Sequence, residues 1–487
     1  MSVQLKKYLC VLRVKEERRN MGSKSGKTKA VNMTEGSIVK QILMFSIPLM
    51  FGNIFQMLYN TVDTIVVGNF VGKEALAAVG STTMIVNILV FFFNGFSIGA
   101  GVVIGQRFGA NDYKRLHIAV ETTMTMTFIF CVIFTILGLF GAKPMLRFMD
   151  TPDDVFEGAA TYLKIYFAGI TGLLIYNMGS GILRAVGDSK RPLIFLIITS
   201  VINTVLDLLF VIVFKMGIAG VAFATVIAQL ISSVLVLLVL IRSDDIYHLV
   251  LKDLGIDWPT LKAIIAVGLP AGIQSVITAF SNVFVQSYIN HFGSTVMAGW
   301  STYNKLDTFI MLPMQSMAMA ATTFVSQNIG AGKEDRARTG TWLTILMSLM
   351  VTAAIAVPLY IFAETAVGVF TDEADVIEAG SSFLRALVFF LLLNCVNHVL
   401  ASALRGRGDS KAPMIIMLLC FVLIRQIYLF IMTRYVINTP VVVGLGYPVG
   451  WLSCFIIELT YYYLHYGRKK EDEKIPDPAL ERAEKGA

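Results

Sequence analysis

From Thr34 onward, long apolar runs alternate with short polar segments. Twelve of the runs can cross about 30 Å of hydrocarbon at a helical rise of about 1.5 Å per residue. Their centres lie near Ile54, Leu89, Phe130, Gly169, Val201, Gln229, Thr278, Met311, Met350, Leu391, Phe421 and Phe455. Runs of about 20 residues without strict alternation predict helices, whereas a membrane strand needs only about ten. The expected fold class is an all-α membrane protein with twelve transmembrane helices.

The pattern is duplicated. Leu183-Arg184-Ala185-Val186-Gly187-Asp188-Ser189-Lys190-Arg191-Pro192 returns 221 residues later as Leu404-Arg405-Gly406-Arg407-Gly408-Asp409-Ser410-Lys411-Ala412-Pro413, with seven identities. The same spacing relates Gln106, Gly109 and Ala110 to Gln327, Gly330 and Ala331, and a spacing of 222 relates Pro48 to Pro270. Each copy holds six helices, an even number, so both enter the membrane from the same side. Two six-helix lobes are therefore expected to be related by a pseudo-two-fold axis along the membrane normal. Internal repeats of this kind mark transporters with a site between or within the repeats.

Composition agrees, with 56% hydrophobic and 15% charged residues and a mean hydropathy of +0.70. The net charge of +7 does not call for a nucleic-acid partner, because the basic residues are sorted by loop. Five inner loops carry three each, for example Arg107, Lys114 and Arg115, whereas only Lys73, Lys143, Arg147, Lys215 and Arg434 fall in the outer ones. That asymmetry predicts a multi-pass protein of the inner or plasma membrane with both termini cytoplasmic. The boundaries read as a basic tail over 1–33, an amino-terminal lobe over 34–242, a linker over 243–257, a carboxy-terminal lobe over 258–466 and a second tail over 467–487. The first tail lacks the apolar core of a signal peptide, and Met33 is a second candidate start. Five scattered cysteines signal neither a disulfide framework nor a metal site.

The repeated Gly-Asp-Ser-Lys loops read as structural. Gly187 and Gly408 suit a positive φ after a helix, Asp188 and Asp409 suit a cap, and Pro192 and Pro413 suit a first turn. They lack the glycine spacing of a phosphate-binding loop.

Charges inside the apolar runs carry the candidate chemistry, since each costs roughly 2.5 to 3.5 kcal/mol to insert and asks for a partner or a task. Asp63 and Asp207 each lie six residues, about 9 Å, from the outer ends of their helices. Thr225 lies about 12 Å deep on the sixth helix, and Asn203 is one turn from Asp207. Two carboxyl groups close together in a low-dielectric site do not both ionise readily, so they share a proton or hold a cation. Carboxylate, amide and hydroxyl oxygens suit a hard cation such as Na+, while a proton needs only the acids. The second copy has Val285 and Tyr428 in place of the two acids, so the fold does not demand them.

Gln56, Tyr59 and Asn60 form a polar stripe with Asp63 and are expected to line a substrate cavity, with Asn177, Lys305 and Asp307 as further candidates. Pro48 permits a helix bend. Lys305 and Asp307 are two apart and point in different directions, so one of them faces the interior. Arg425 and Glu458 are expected to pair between neighbouring helices, His398 to be a packing residue, and Lys164, Arg385 and Glu121 to reach the interface.

With these residues assembled, the chain resembles the multidrug and toxic compound extrusion (MATE) family over about 34–466. The resemblance rests jointly on Pro48, Gln56, Asp63, Asn203, Asp207, Thr225, the Gln-x-x-Gly-Ala loops and the Gly-Asp-Ser-Lys loops. It implies cation-coupled antiport of amphipathic, mostly cationic organic compounds through a cavity between the lobes, with Asp63, Asn203, Asp207 and Thr225 as the cation site. The matches fall with the DinF-like branch; another branch carries a glutamate seven residues after the second proline, where this chain has Ile277. The expected coupling ion is H+ or Na+, with no cofactor. The expected partners are small organic substrates and membrane lipids, and the expected state is a monomer.

Two rivals stand beside this reading. A lipid-linked saccharide flippase shares the two-lobe architecture and would show a cavity dominated by Arg and Lys. An intramembrane enzyme would need a nucleophile-and-base or metal motif, and no Gly-x-Ser-x-Gly or His-Glu-x-x-His occurs.

Overall fold

The computed structural model describes residues 31–243 and 245–467. Most of the first tail and the second tail after 467 lie outside the described residues. Among the described residues eleven helices are long and apolar enough to cross a membrane, and a bent pair completes a set of twelve. The amino-terminal lobe holds α1 (Ile38–Val71), α2 (Lys73–Gly109), α3 (Tyr113–Phe148), α4 (Asp153–Ala168 and Ile170–Ala185), α5 (Lys190–Val213) and α6 (Gly217–Arg242). The carboxy-terminal lobe holds α7 (Trp258–Asn290), α8 (Ser294–Gly330), α9 (Glu334–Ile361), α10 (Ala374–Gly406), α11 (Lys411–Val436) and α12 (Pro440–Gly467).

Local chemistry sets the helix ends. Ser37, Asp112 and Asp257 cap α1, α3 and α7 by accepting from the backbone N–H of Lys40, Arg115 and Thr260. Gly187 and Gly408 take φ of 85° and 93°, and Asp188 and Asp409 accept from the first N–H groups beyond them, as expected from sequence. The two loops then diverge. Arg191 pairs with Asp188 at 3.2 Å and donates to the Tyr247 hydroxyl at 2.6 Å, tying the linker to the first loop. Asp409 instead accepts from Tyr461 of α12 at 2.7 Å.

Each lobe has its own apolar core, and in the first a cluster of Phe92, Phe93, Phe96, Phe130 and Phe134 packs largely edge to face. A further core joins α1 to α8 and α10 near the end that carries the basic loops, through Ile42, Phe45, Phe324, Leu400 and Leu404. Across the interface α2 packs on α7 and α8, and α1 packs on α8.

The pseudo-two-fold axis is visible in side chains. Gln106 donates to the Gly406 carbonyl at 3.1 Å, and its counterpart Gln327 donates to the Ala185 carbonyl at 2.8 Å. A Cβ added at Gly109 would overlap the Gln327 carbonyl, and one added at Gly330 would overlap the Gln106 carbonyl. The backbones touch there because both residues are glycine. These reciprocal contacts close the basic end. Midway along, Gly95 and Gly99 meet Gly272 and Gly268 at backbone distance. Beyond that crossing, Leu89 and Phe92 of α2 and Ile273 and Ile277 of α7 line an open apolar cleft of about 390 Å³.

Three details depart from the sequence reading. The fourth span bends by 49° at Gly169. The last residues of the amino-terminal tail are built in: Val31 donates to Val186 at 3.1 Å, Met33 is buried, and its N–H donates to Gln327 at 2.9 Å. Residues 31–33 thus strap one lobe to the other across the basic end. Arg425 and Glu458 do not pair; Arg425 donates to Ser281 at 2.6 Å and lies 4.7 Å from the centre of the Tyr447 ring, while Glu458 accepts from the Cys454 thiol at 3.6 Å.

Candidate functional site

A cavity of about 630 Å³ lies between the lobes, above the closed basic end. Pro48, Gln56, Tyr59 and Asn60 from α1 line it, as do Asn177 from α4, Asn203 from α5 and Thr225 from α6. The polar stripe expected on α1 therefore faces a cavity and not lipid. The remaining substrate candidates fall elsewhere: neither Lys305 nor Asp307 lines this cavity. Lys305 is exposed and rests over the Phe370 ring at 5.5 Å, whereas Asp307 turns into the second lobe towards Tyr303.

Neither Asp63 nor Asp207 lines the cavity; each lies one helical turn beyond a lining residue, Tyr59 or Asn203, on the side away from the basic loops. Asp207 is wholly buried, and Asn203 and Thr225 nearly so. Their arrangement follows from helix registers: Asn203 and Asp207 share one face of α5, and α1 and α6 both pack against that helix. The Asp63 and Asp207 carboxyl groups come within hydrogen-bonding reach of each other. Such a contact needs a hydrogen on one oxygen or a cation between them, because an ionised carboxylate only accepts. Among the described residues no donor serves Asp63 Oδ1 or either Asp207 oxygen, and both polar atoms of the Asn203 amide are also unpartnered. Thr225 donates its hydroxyl to Val221 at 3.0 Å, leaving oxygen lone pairs free.

Buried, unpartnered oxygens in hydrocarbon are costly unless something else engages them. The set fits a proton shared by the carboxyl pair or a monovalent hard cation with amide and hydroxyl ligands. Among the described residues no cluster of three or more His, Cys, Asp or Glu is present to hold a metal ion.

Sequence reasoning missed several members. Tyr162 and Tyr166 stack 6.2 Å apart on α4, and Tyr59 and Tyr162 lie near the carboxyl pair. Gln229 of α6 lies beside Tyr166 and lines the same cavity. The four-residue spacing of Tyr162 and Tyr166 was a readable signal. His398 lines the cavity, in contrast to the packing role expected for it, together with Arg184 and Arg405.

Comparison with known proteins gives a consistent picture. The MatE family model matches twice, over residues 48–209 and 270–431, once per lobe. The probable multidrug resistance protein YpnP of Bacillus subtilis (strain 168) is 30% identical over 442 residues, covering 91% of this chain and 98% of that protein. The probable multidrug resistance protein YoeA of the same organism is 28% identical over 442 residues, covering 89% and 95%. A solved outward-facing conformation of a multidrug resistance MATE family transporter of the MOP superfamily superposes with a TM-score of 0.85 at 25% identity, covering 90% of this chain and 98% of that one.

Proposed function

The chain belongs to the MatE family, a family of multi-pass membrane transporters, and from that premise we propose that it is a cation-coupled secondary antiporter exporting amphipathic organic compounds by alternating access. The observation that carries the coupling is the Asp63–Asp207 contact beside the cavity, with three of its four carboxyl oxygens buried and without a protein donor. An ion that binds there from one side and leaves to the other changes the charge behind Tyr59 and Asn203, and so the affinity of the cavity for its cargo. A cationic cargo finds its counter-charge at these two acids, in line with the resemblance to the family.

The basic end faces the cytoplasm on the distribution of Lys and Arg, so its closure corresponds to an outward-facing state. The reverse state requires the Gln106–Gly406 and Gln327–Ala185 contacts to open. The sequence contains no ATP-binding motif, and an ion gradient is the energy source this reading calls for. Coupling acids confined to the amino-terminal lobe, with Ile277 where a second-lobe glutamate would stand, favour the DinF-like branch.

One observation favours the flippase reading: the charged side chains in the cavity wall are Arg184 and Arg405, with no carboxylate among the lining residues. Reconstitution separates the two. Antiport predicts that proteoliposomes move a cationic dye when a pH or sodium gradient is imposed. Dye movement indifferent to both gradients, or lipid-linked saccharide movement without them, would select the flippase.

A further inference from the structure

Arg184 and Arg405 occupy the same position in the duplicated decapeptide, 221 residues apart, and both line the inter-lobe cavity next to its closed basic end. Each is held by a neutral acceptor from a neighbouring helix. Arg184 donates to the Ser97 hydroxyl at 3.4 Å, and Arg405 donates to Gln274 Oε1 at 2.8 Å. Neutral acceptors aim a guanidinium without cancelling its charge. Among the described residues neither arginine forms an ion pair. Glu458 is the acid near Arg405, but it sits behind the cavity wall and bonds to Cys454. Arg405 Nε is buried without a hydrogen-bond partner.

Each arginine is in the last turn of its helix, where the axial dipole offsets roughly half a charge. The remainder has no ion-pair partner among the described residues, Glu458 acting on Arg405 only from behind the wall, and arginine does not discharge itself by losing a proton. Two such groups, converging from the two lobes on one cavity without an acid in its wall, form a floor complementary to an oxyanion. The walls above are mixed apolar and amide in character, with Leu193, Phe91, Asn94 and Gln315.

We propose that Arg184 and Arg405 form an oxyanion-binding floor, so that the cargo of this cavity is an amphipathic molecule carrying a carboxylate, sulfonate or phosphate group, alone or together with a cationic group that faces Asp63 and Asp207. The shared chemistry is the oxyanion on an apolar body, whether it belongs to a free organic acid or to a lipid headgroup. This inference rests on the reading of the cavity as the transport site. Opening the basic end parts the two lobes and with them the two arginines, which loosens the grip on a doubly held oxyanion as the lobes separate.

The test is equilibrium binding to the full chain in nanodiscs of neutral lipid, with three probes: 2-naphthyl phosphate as a free organic anion, lysophosphatidic acid as a lipid anion, and a naphthylmethyl trimethylammonium as the cationic control. Arg184→Gln and Arg405→Gln are each expected to weaken anion binding about tenfold, the loss of one charge-assisted hydrogen bond, and the double variant to abolish it. Lysine at either position should restore part of the loss, and cation binding should persist in all variants. Arginine-dependent binding of both anions, or of naphthyl phosphate alone, supports a free organic anion; of lysophosphatidic acid alone, a lipid headgroup. Anion binding that is absent in the parent protein, or unchanged in the double variant, overturns the proposal. Gradient-driven transport by the parent is a separate readout, so loss of the anion floor is distinguishable from loss of the antiport reading.

Discussion

The two lobes share a backbone plan and differ in what they bury. Where the first lobe places Asp63 and Asp207 in mutual contact, the second has Val285, fully buried, and Tyr428, whose hydroxyl donates to the Val442 carbonyl at 3.1 Å. The second lobe keeps charges of its own, but arranges them differently. Arg425 is hydrogen-bonded to Ser281 and stacked on Tyr447, a partnered group. The acids Asp307 and Glu458 each face a polar neighbour, Tyr303 and Cys454, and neither opens on the inter-lobe cavity. Duplication supplied a symmetric frame, and the facing carboxyl pair was built into one half of it. Symmetry survives where both halves perform the same mechanical task, at the Gln-x-x-Gly-Ala contact.

That contrast predicts two kinds of mutational response. The largest effect should come from the shared frame: Gly109→Val or Gly330→Val forces a side chain into a facing carbonyl, a clash of a kind that costs about 1 to 3 kcal/mol or more when the backbone must move. Both variants should insert but fail to close the basic end, with transport lost to a similar extent. The check is accessibility of a cysteine at cavity residue Ser402 to an impermeant maleimide applied from the basic-loop side. Strong labelling in one variant and none in the other would break the symmetry.

Next in size is the asymmetric response. Asp63→Asn and Asp207→Asn should abolish stimulation of efflux by a pH or sodium gradient, whereas Tyr428→Phe in the second lobe should leave it intact. Fluorescence-detected size exclusion establishes that each variant is folded. A comparable loss from Tyr428→Phe would assign coupling to both lobes.

Smaller effects sharpen the identity of the ion. For a shared proton, Asn203→Ala and Thr225→Ala leave the pH-gradient response nearly unchanged; for sodium, each removes a ligand and raises the sodium concentration for half-maximal transport by about tenfold. The smallest effect belongs to Lys305→Gln, which lies outside the cavity and should keep transport within about twofold, as for ordinary surface changes.

Much of this architecture could be read from sequence because it follows from one-dimensional signals. Hydropathy located all twelve spans, and the repeat spacing of 221 anticipated equivalence at Gln106 and Gln327. The polar stripe through Gln56, Tyr59 and Asn60 needed only the helical period to identify a cavity wall. Features that depend on how one helix is rotated against another were not legible. Arg425 and Glu458 are at compatible depths, but the rotation of α11 turns the guanidinium towards Ser281. Arg184 and Arg405 count as loop bases when charges are tallied for topology, although their side chains reach into the cavity. The bend at Gly169 carries no proline to announce it. A glycine is needed there all the same, since a Cβ would overlap the Val226 side chain of α6.

The central claim is that the buried carboxyl pair of the first lobe couples an ion gradient to export. It is tested most directly by efflux of a fluorescent cargo from proteoliposomes, with and without an imposed pH or sodium gradient, for the parent protein and for Asp207→Asn. The account predicts that either gradient, or both, accelerates efflux by the parent and that neither does so for Asp207→Asn, whose efflux without a gradient is measured beside it. Equal acceleration in the two proteins would contradict it.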